Sequence, residues 1–195
     1  HALSVALLTY PYSYILRNPN EISSAYGWHF QFLTILTLTI AYIQFMLACL
    51  HDLTGNETIL ELKQILLLIA GPVELLISVL WWGLKLVDPT LLIPEELLKV
   101  FPLSADLSMH ANPAILLLIE IFFVSDALEH STTTAAAIYA AYGTGYLVWL
   151  EHCAKMNGFY AYPMLGLMTQ GQRIATFAGA TAFAFASLLV VKQVY

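Results

Sequence analysis

The sequence predicts an all-α protein, a polytopic transmembrane bundle of about six spanning helices. Its 195 residues are 59% hydrophobic and 10% charged, and the mean hydropathy is +0.75. Soluble domains carry about 25% charged residues, so water is not the main solvent of this chain. The apolar runs are too long for the strands of a membrane barrel. We therefore expect a single integral membrane domain over residues 1–195, with the lipid bilayer as its surroundings.

Apolar runs separated by polar turn formers give the spans in order along the chain. Clear breaks occur at 17–21, 52–57 and 94–96, where proline, glycine, asparagine and acidic residues cluster. Pro72 falls inside the third span, and we expect it to kink that helix. The predicted spans are 1–16, 28–50, 64–84, 107–124, 133–151 and 172–191.

Charge, cysteine content and the first residues exclude several alternatives. The formal net charge of −6 argues against a nucleic-acid partner. Cys49 and Cys153 form no metal-binding or redox motif, so we expect no metal and no cofactor. The chain opens with His1, and we expect the true N-terminus to be missing or processed. Residues 2–16 lack a small-residue cleavage site, which favours a retained helix over a signal peptide.

Antiparallel spans place the starts of the second and fourth spans at one membrane face, with the ends of the first, third and fifth. All four tryptophans then lie there, as in an interfacial aromatic belt. They are Trp28, Trp81, Trp82 and Trp149. We call this end of the bundle the tryptophan face. Most basic residues lie at the same face, so the positive-inside rule predicts that it is cytoplasmic.

Two polar residues within the spans are candidates for chemistry, because polar groups are costly in a bilayer. Thr34 lies about two turns into the second span, and His110 lies at a similar depth near the start of the fourth. A threonine hydroxyl needs a neighbouring base to act as a nucleophile. Asp106, four residues before His110, shares its helical face and could orient the imidazole.

Structural roles could account for the same residues. Membrane threonines such as Thr34 usually bond to their own helix or a neighbouring one, and Asp106 could complement a helix N-terminus. Glu74 and Glu120 lie within apolar runs, and each needs a partner or a proton. We keep Glu120 as a candidate supporting residue.

The histidines raise a further alternative. His152 ends the fifth span at the tryptophan face, whereas His51 and His130 lie at the opposite face. Histidines in two layers ligate haems in membrane electron carriers. His51 and His130 resemble loop residues, and the face with His152 offers no matched pair. A haem-binding membrane electron carrier is therefore the less favoured alternative.

A series of short motifs runs through nearly the whole chain, and their order and spacing are more specific than any one of them. They are Gly27 with Phe32-Leu33-Thr34, Pro72-Val73, Met109-His110 with Leu118-Ile119-Glu120, Gly145-Tyr146 with Trp149, Gly158 with Tyr162-Pro163, and Gly171 with Arg173-Ile174. In these motifs, their order and their spacing, the chain resembles the androgen-induced and androgen-dependent integral membrane hydrolases of the endoplasmic reticulum. Members of that family cleave fatty acid esters of hydroxy fatty acids.

The resemblance implies a threonine-dependent lipid ester hydrolase that acts on a membrane lipid, with Thr34 as nucleophile and His110 as its partner. The oxyanion donors stay open, and the candidates within about a turn of the pair are Asn112, Gln31 and Ser108. Residues that we expect to line the substrate site are Trp28, Trp149, His152, Tyr160 and Tyr162. The alternative from another class is a non-catalytic lipid-binding or structural membrane subunit, and no protein partner is identifiable.

Overall fold

The computed structural model describes residues 1–125 and 130–194, and every regular element within these ranges is helical. This confirms the all-α class. Within these ranges, four helices are long and apolar enough to cross a membrane, so the predicted number of about six spans is approximate. The long helices are α1 (Ala2–Arg17), α2 (Leu33–Thr54), α3 (Glu57–Val87), α4 (Leu103–Val124), α5 (Thr132–Asn157) and α6 (Gln170–Val194).

The helices pack with apolar side chains both inside and outside the bundle. α2 packs along α3, α1 packs on α2 and α4, and α6 packs on α3 and α5. Leu38, Phe45, Leu67 and Leu117 belong to the buried core. Large apolar side chains also cover the outer surface, among them Ile43, Met46, Leu80, Ile115 and Phe123. So much exposed apolar surface fits a protein whose solvent is lipid.

The second helix begins later than the sequence predicts. Trp28–Gln31 forms a separate 3-10 turn, Phe32 is extended, and α2 begins at Leu33. Thr34 is therefore the second residue of α2, and the expectation that it lies two turns inside the helix is wrong. The break follows Gly27 and Trp28, whose φ angles of 83° and 48° do not continue into a helix. The run of apolar residues hides this break from the sequence.

Other helices extend beyond their apolar runs. The break predicted at 52–57 is reduced to Gly55, in the left-handed conformation, and Asn56, whose side chain caps α3. α5 continues to Asn157, so His152 lies inside it rather than at its end. Polar residues thus continue these helices after the hydropathy has dropped. α3 runs through Pro72, and the kink there stays a prediction.

α4 has three parts. A first segment, Leu103–His110, ends at Ala111, whose φ and ψ of −126° and −51° interrupt the helix just before Pro113. The second segment is Asn112–Ile119, and a π-helical turn over Glu120–Val124 follows. His110 is therefore the last residue of a short helix that begins four residues before the predicted span.

A buried ion-pair network connects the start of α1 with α3 and α4 at the end of the bundle away from the tryptophan face. Lys63 lies before the predicted third span, yet it is buried in α3, with Nζ 2.6 Å from Glu120 Oε1. Ser125 accepts from Lys63 and donates to Glu120, both at 2.8 Å. His1 Nε2 lies 3.1 Å from the other carboxylate oxygen of Glu120. Glu120 thus has the partners that a buried carboxylate needs.

Candidate active site

A cavity of ≈ 320 Å³ lies near the tryptophan face, between α1, α2, α4 and the short segments that connect the helices. Its walls are mostly apolar, with Phe32, Phe101 and Met109 among them. Thr34 and His110 both line this cavity, although they are far apart in the sequence. The structure therefore brings together the two residues that the sequence singles out for chemistry.

A second, smaller cavity of ≈ 130 Å³ lies between α2, α3, α6 and the segment around Tyr162. Apolar residues form nearly all of its wall, including Leu76, Leu165 and Phe177. Thr34 and Tyr162 line both cavities, as does Trp81. Thr34 thus lies where two apolar spaces meet.

Asp106 holds the imidazole of His110 from one side. His110 Nδ1 lies 2.9 Å from Asp106 Oδ1 and 3.1 Å from the Asp106 carbonyl oxygen. Both partners are acceptors, so Nδ1 carries the proton and donates. Within residues 1–125 and 130–194, Nε2 has no hydrogen-bond partner, and the ring lines the larger cavity. This leaves Nε2 as the basic nitrogen available to a reacting group.

Asp106 itself is fully buried, and besides His110 of its own helix it has two partners in α3. Trp81 Nε1 donates to Oδ1 at 2.6 Å, and Lys85 forms an ion pair with Oδ2. A buried carboxylate with these donors is held in one place and keeps its charge compensated. The carboxylate is therefore set to orient His110 and to stabilise an imidazolium ion.

Thr34 differs from the other threonines of α2. Thr37 is hydrogen-bonded to Tyr142 Oη at 2.9 Å, and Thr39 donates to the carbonyl of Ile35 at 2.7 Å. Those two have the structural roles common in membrane helices. Thr34 is only 5% exposed, lines the cavities and has the phenol of Tyr162 within hydrogen-bonding reach. Its hydroxyl is not hydrogen-bonded to His110, and such contacts often tighten only when substrate is bound.

The sequence profile of the FAR-17a/AIG1-like proteins matches residues 1–195, the whole chain. The protein belongs to the FAR-17a/AIG1-like family. It is 32% identical to the UPF0641 membrane protein PJ4664.05 of Schizosaccharomyces pombe over 196 residues, which cover 100% of this chain and 88% of that relative. It is 26% identical to the human androgen-induced gene 1 protein over 171 residues, 80% of this chain and 71% of the relative. No solved structure matches the chain.

The three oxyanion candidates lie outside both cavities of this FAR-17a/AIG1-like protein. Gln31 Nε2 donates to the Trp28 carbonyl at 2.9 Å, and Ser108 Oγ donates to the Ala105 carbonyl at 2.8 Å. Asn112 is the first residue after the break at Ala111. The structure thus does not bring these side chains to Thr34.

Among the five residues expected to line the substrate site, only Tyr162 lines either of the two cavities at Thr34. The other four residues contact neighbouring segments of the chain instead. Trp28 packs on His29, and Trp149 Nε1 donates to the Phe30 carbonyl at 3.0 Å. His152 lies 3.2 Å from Tyr26 Oη, and Tyr160 donates to Glu151 at 2.8 Å.

The two membrane carboxylates also lie away from the site. Glu120 is in the ion-pair network at the other end of the bundle. Glu74 is buried in α3, and its Oε1 has no hydrogen-bond partner in the part of the chain that the structure describes. Neither residue lines the cavities at Thr34.

Sequence reasoning missed the role of Trp81. As part of the predicted aromatic belt it should face the interface, but it is only 6% exposed and stacks on His110, so that prediction is wrong for Trp81. The spacing of Trp81 and Lys85 could have revealed the site, because residues four apart share a helical face and both reach Asp106.

His29 is another cavity residue that the sequence did not reveal. It is buried in the turn before α2, near Ser23 Oγ at 3.3 Å, and burial lowers the pKa of its imidazole. It therefore adds a neutral polar group to a mostly apolar wall. No group of three or more metal-ligating side chains is found among residues 1–125 and 130–194.

Proposed function

We propose that this protein is a membrane-embedded lipid ester hydrolase that cleaves fatty acid esters of hydroxy fatty acids. Thr34 is the nucleophile and His110 is its base. One observation carries the proposal: Thr34 and His110, from separate helices, line a single apolar cavity, and buried Asp106 holds the imidazole. The family resemblance supports the same pair and an endoplasmic reticulum location. The basic residues at the tryptophan face favour a cytoplasmic position for that face.

The reaction is an acyl transfer followed by hydrolysis. His110 Nε2 takes the proton from Thr34 Oγ1 as this oxygen attacks the ester carbonyl. The tetrahedral intermediate collapses to an acyl-threonine, and the imidazolium returns the proton to the oxygen of the leaving hydroxy fatty acid. Water then attacks the acyl-threonine, with His110 again as base. Asp106 stabilises the positive charge on His110 in both halves of the reaction.

The two cavities suit the two arms of such an ester. The smaller cavity is almost wholly apolar and fits the plain acyl chain. The larger cavity includes Asn18, Asn20 and His29 in its wall, so it fits the hydroxy acid arm with its free carboxyl group. With the arms divided in this way, the ester carbonyl lies at Thr34. Both arms enter from lipid, while water reaches the ester from the nearby tryptophan face.

Hydrolysis by the purified protein in detergent tests the proposal. Thr34→Ala removes the nucleophile and should lower kcat by at least about 10³-fold, because a neighbouring water cannot replace a positioned hydroxyl. Thr39→Ala is the matched control, since Thr39 is on the same helix and lines neither cavity. Undiminished hydrolysis by Thr34→Ala would contradict the proposal, and absence of hydrolysis in the wild type would favour a non-catalytic subunit.

A further inference from the structure

We propose that the Tyr162 hydroxyl and the backbone N–H groups that begin α2 form the oxyanion hole of this reaction. The inference rests on the proposed function, because an oxyanion forms only if Thr34 attacks an ester. It replaces the side chains considered from the sequence, none of which lines either of the two cavities at Thr34.

The start of α2 supplies backbone donors that are not used within the helix. The first N–H groups of an α-helix have no acceptor within the helix. Phe32, which precedes α2, makes no side-chain capping bond to them. The Leu33 N–H donates to Tyr146 Oη at 2.9 Å, and the Thr34 N–H has the Tyr162 phenol within hydrogen-bonding reach. The Ile35 N–H has no hydrogen-bond partner within residues 1–125 and 130–194. Thr34 and Ile35 both line the larger cavity. The helix start also carries partial positive charge, which favours a negative oxygen.

Tyr162 adds a side-chain donor at the same point. Its phenol lies within hydrogen-bonding reach of the hydroxyls of Thr34 and Tyr146 and of the backbone N–H groups of Leu33 and Thr34. Its ring packs edge-on against Phe32, with centroids 5.3 Å apart and planes inclined by 89°. Burial raises the pKa of the Tyr162 phenol, so the group keeps the proton that it would donate.

A second and independent observation points to a reacting group in this place. His110 is only 5% exposed, lines the same cavity and has an unpartnered Nε2 within the described ranges. The base and the residues that begin α2 therefore line one cavity. The base accepts the proton that Thr34 loses, and the donors meet the negative charge that develops on the carbonyl oxygen.

The arrangement also explains why the nucleophile is at the second position of a helix. When Thr34 Oγ1 attacks, the former carbonyl oxygen lies close to the backbone of the same residue. The Thr34 N–H can then donate to it, as the N–H of the nucleophile does in serine hydrolases. Two turns further along the helix, the same N–H would be bonded to the residue four before it and could not take part.

Tyr162→Phe tests the inference, because it deletes one hydroxyl and leaves the ring packed on Phe32. We expect kcat to fall by about 10²-fold or more, with KM within about twofold of the wild-type value. Tyr160→Phe is the matched control, since Tyr160 is in the same segment, bonds to Glu151 and lines neither cavity. A thionoester substrate, whose sulfur accepts hydrogen bonds poorly, should lose less rate in Tyr162→Phe than the oxygen ester does.

Incorporation of 3-fluorotyrosine at position 162 keeps the hydroxyl and makes it more acidic, so it serves if Tyr162→Phe does not fold. The rate should then decline at a lower alkaline pH than in the wild type, as the phenol loses the proton it donates. If kcat in Tyr162→Phe stays within about twofold of wild type, or if the pH profile of the fluorinated protein is unchanged, the inference is overturned. Loss of hydrolysis in Thr34→Ala with an unaffected Tyr162→Phe would overturn this inference alone and leave the proposed function standing.

Discussion

The imidazole of His110 lies flat against the indole of Trp81, with ring centroids 3.5 Å apart and ring planes inclined by 4°. The indole N–H donates to Asp106 Oδ1, the same oxygen that accepts from His110 Nδ1. The carboxylate and the indole therefore hold the imidazole from two directions. A base held in this way needs little reorganisation when the substrate arrives.

Replacing Asp106 by asparagine should impair catalysis more than folding. The amide keeps the size of the carboxylate but cannot stabilise an imidazolium ion, and it favours the wrong tautomer of His110. We expect kcat to fall by about 10²-fold or more. Glu95→Gln is the matched control, because Glu95 is exposed, pairs with Lys99 and lines neither cavity. Equal activities for both variants would show that Asp106 does not act through His110.

Filling each cavity should alter the preference for one arm of the ester. Met164→Trp narrows the smaller cavity and should shift the preference toward shorter acyl chains. Leu97→Trp narrows the larger cavity and should instead disfavour long hydroxy acid arms. The measurement is kcat/KM across esters in which one arm is varied at a time. If either variant shifted the preferred chain length of both arms equally, the division of the arms between the cavities would be wrong.

Gly27 should be needed for the position of Thr34. A Cβ at Gly27 would lie 2.8 Å from Cys153 Sγ and 3.2 Å from Trp149, and its φ of 83° strains other residues. Gly27→Ala should thus destabilise the protein by about 1–3 kcal/mol and lower activity. Gly55→Ala is the control, because Gly55 also has positive φ but no atom within 4 Å of the added Cβ. Thermal unfolding in detergent should show the larger loss for Gly27→Ala; equal losses would discount the contact with Cys153.

The ion-pair network around Glu120 should stabilise the protein without serving catalysis. Lys63 and Trp81 are 18 residues apart in α3, so the network lies about 27 Å from the site. Lys63→Met leaves the buried carboxylate of Glu120 without its lysine and should cost about 3–5 kcal/mol of unfolding free energy. Activity per folded molecule should not change. A kcat loss in fully folded Lys63→Met would mean that Glu120 is coupled to the site.

The sequence predicts the all-α class and the proximity of Thr34 and His110 at one end of the bundle. The hydropathy pattern predicts the helices, and their antiparallel order places the starts of α2 and α4 at one end of the bundle. The motif spacing that marks the FAR-17a/AIG1-like family points to the same two residues. These features follow from patterns that are local or that depend only on the order of the helices.

The details of the site depend on tertiary contacts that no local pattern records. The break before α2 lies in an apolar run and depends on the left-handed Gly27 and Trp28. Trp81 has the sequence context of an interfacial anchor, and only its packing on His110 shows that it faces inward. Tyr162 reaches Thr34 from a distant segment, so its place beside the helix start could not be read from spacing.

Covalent labelling with a fluorophosphonate probe tests the central claim most directly. The probe reacts with an activated hydroxyl, and mass spectrometry identifies the residue that carries it. The account predicts a single adduct on Thr34 in the wild type and in His152→Ala, a control whose histidine lines neither cavity. Labelling should be lost in Thr34→Ala and in His110→Ala. Labelling that persists in Thr34→Ala, or an adduct on a different residue, would contradict the account.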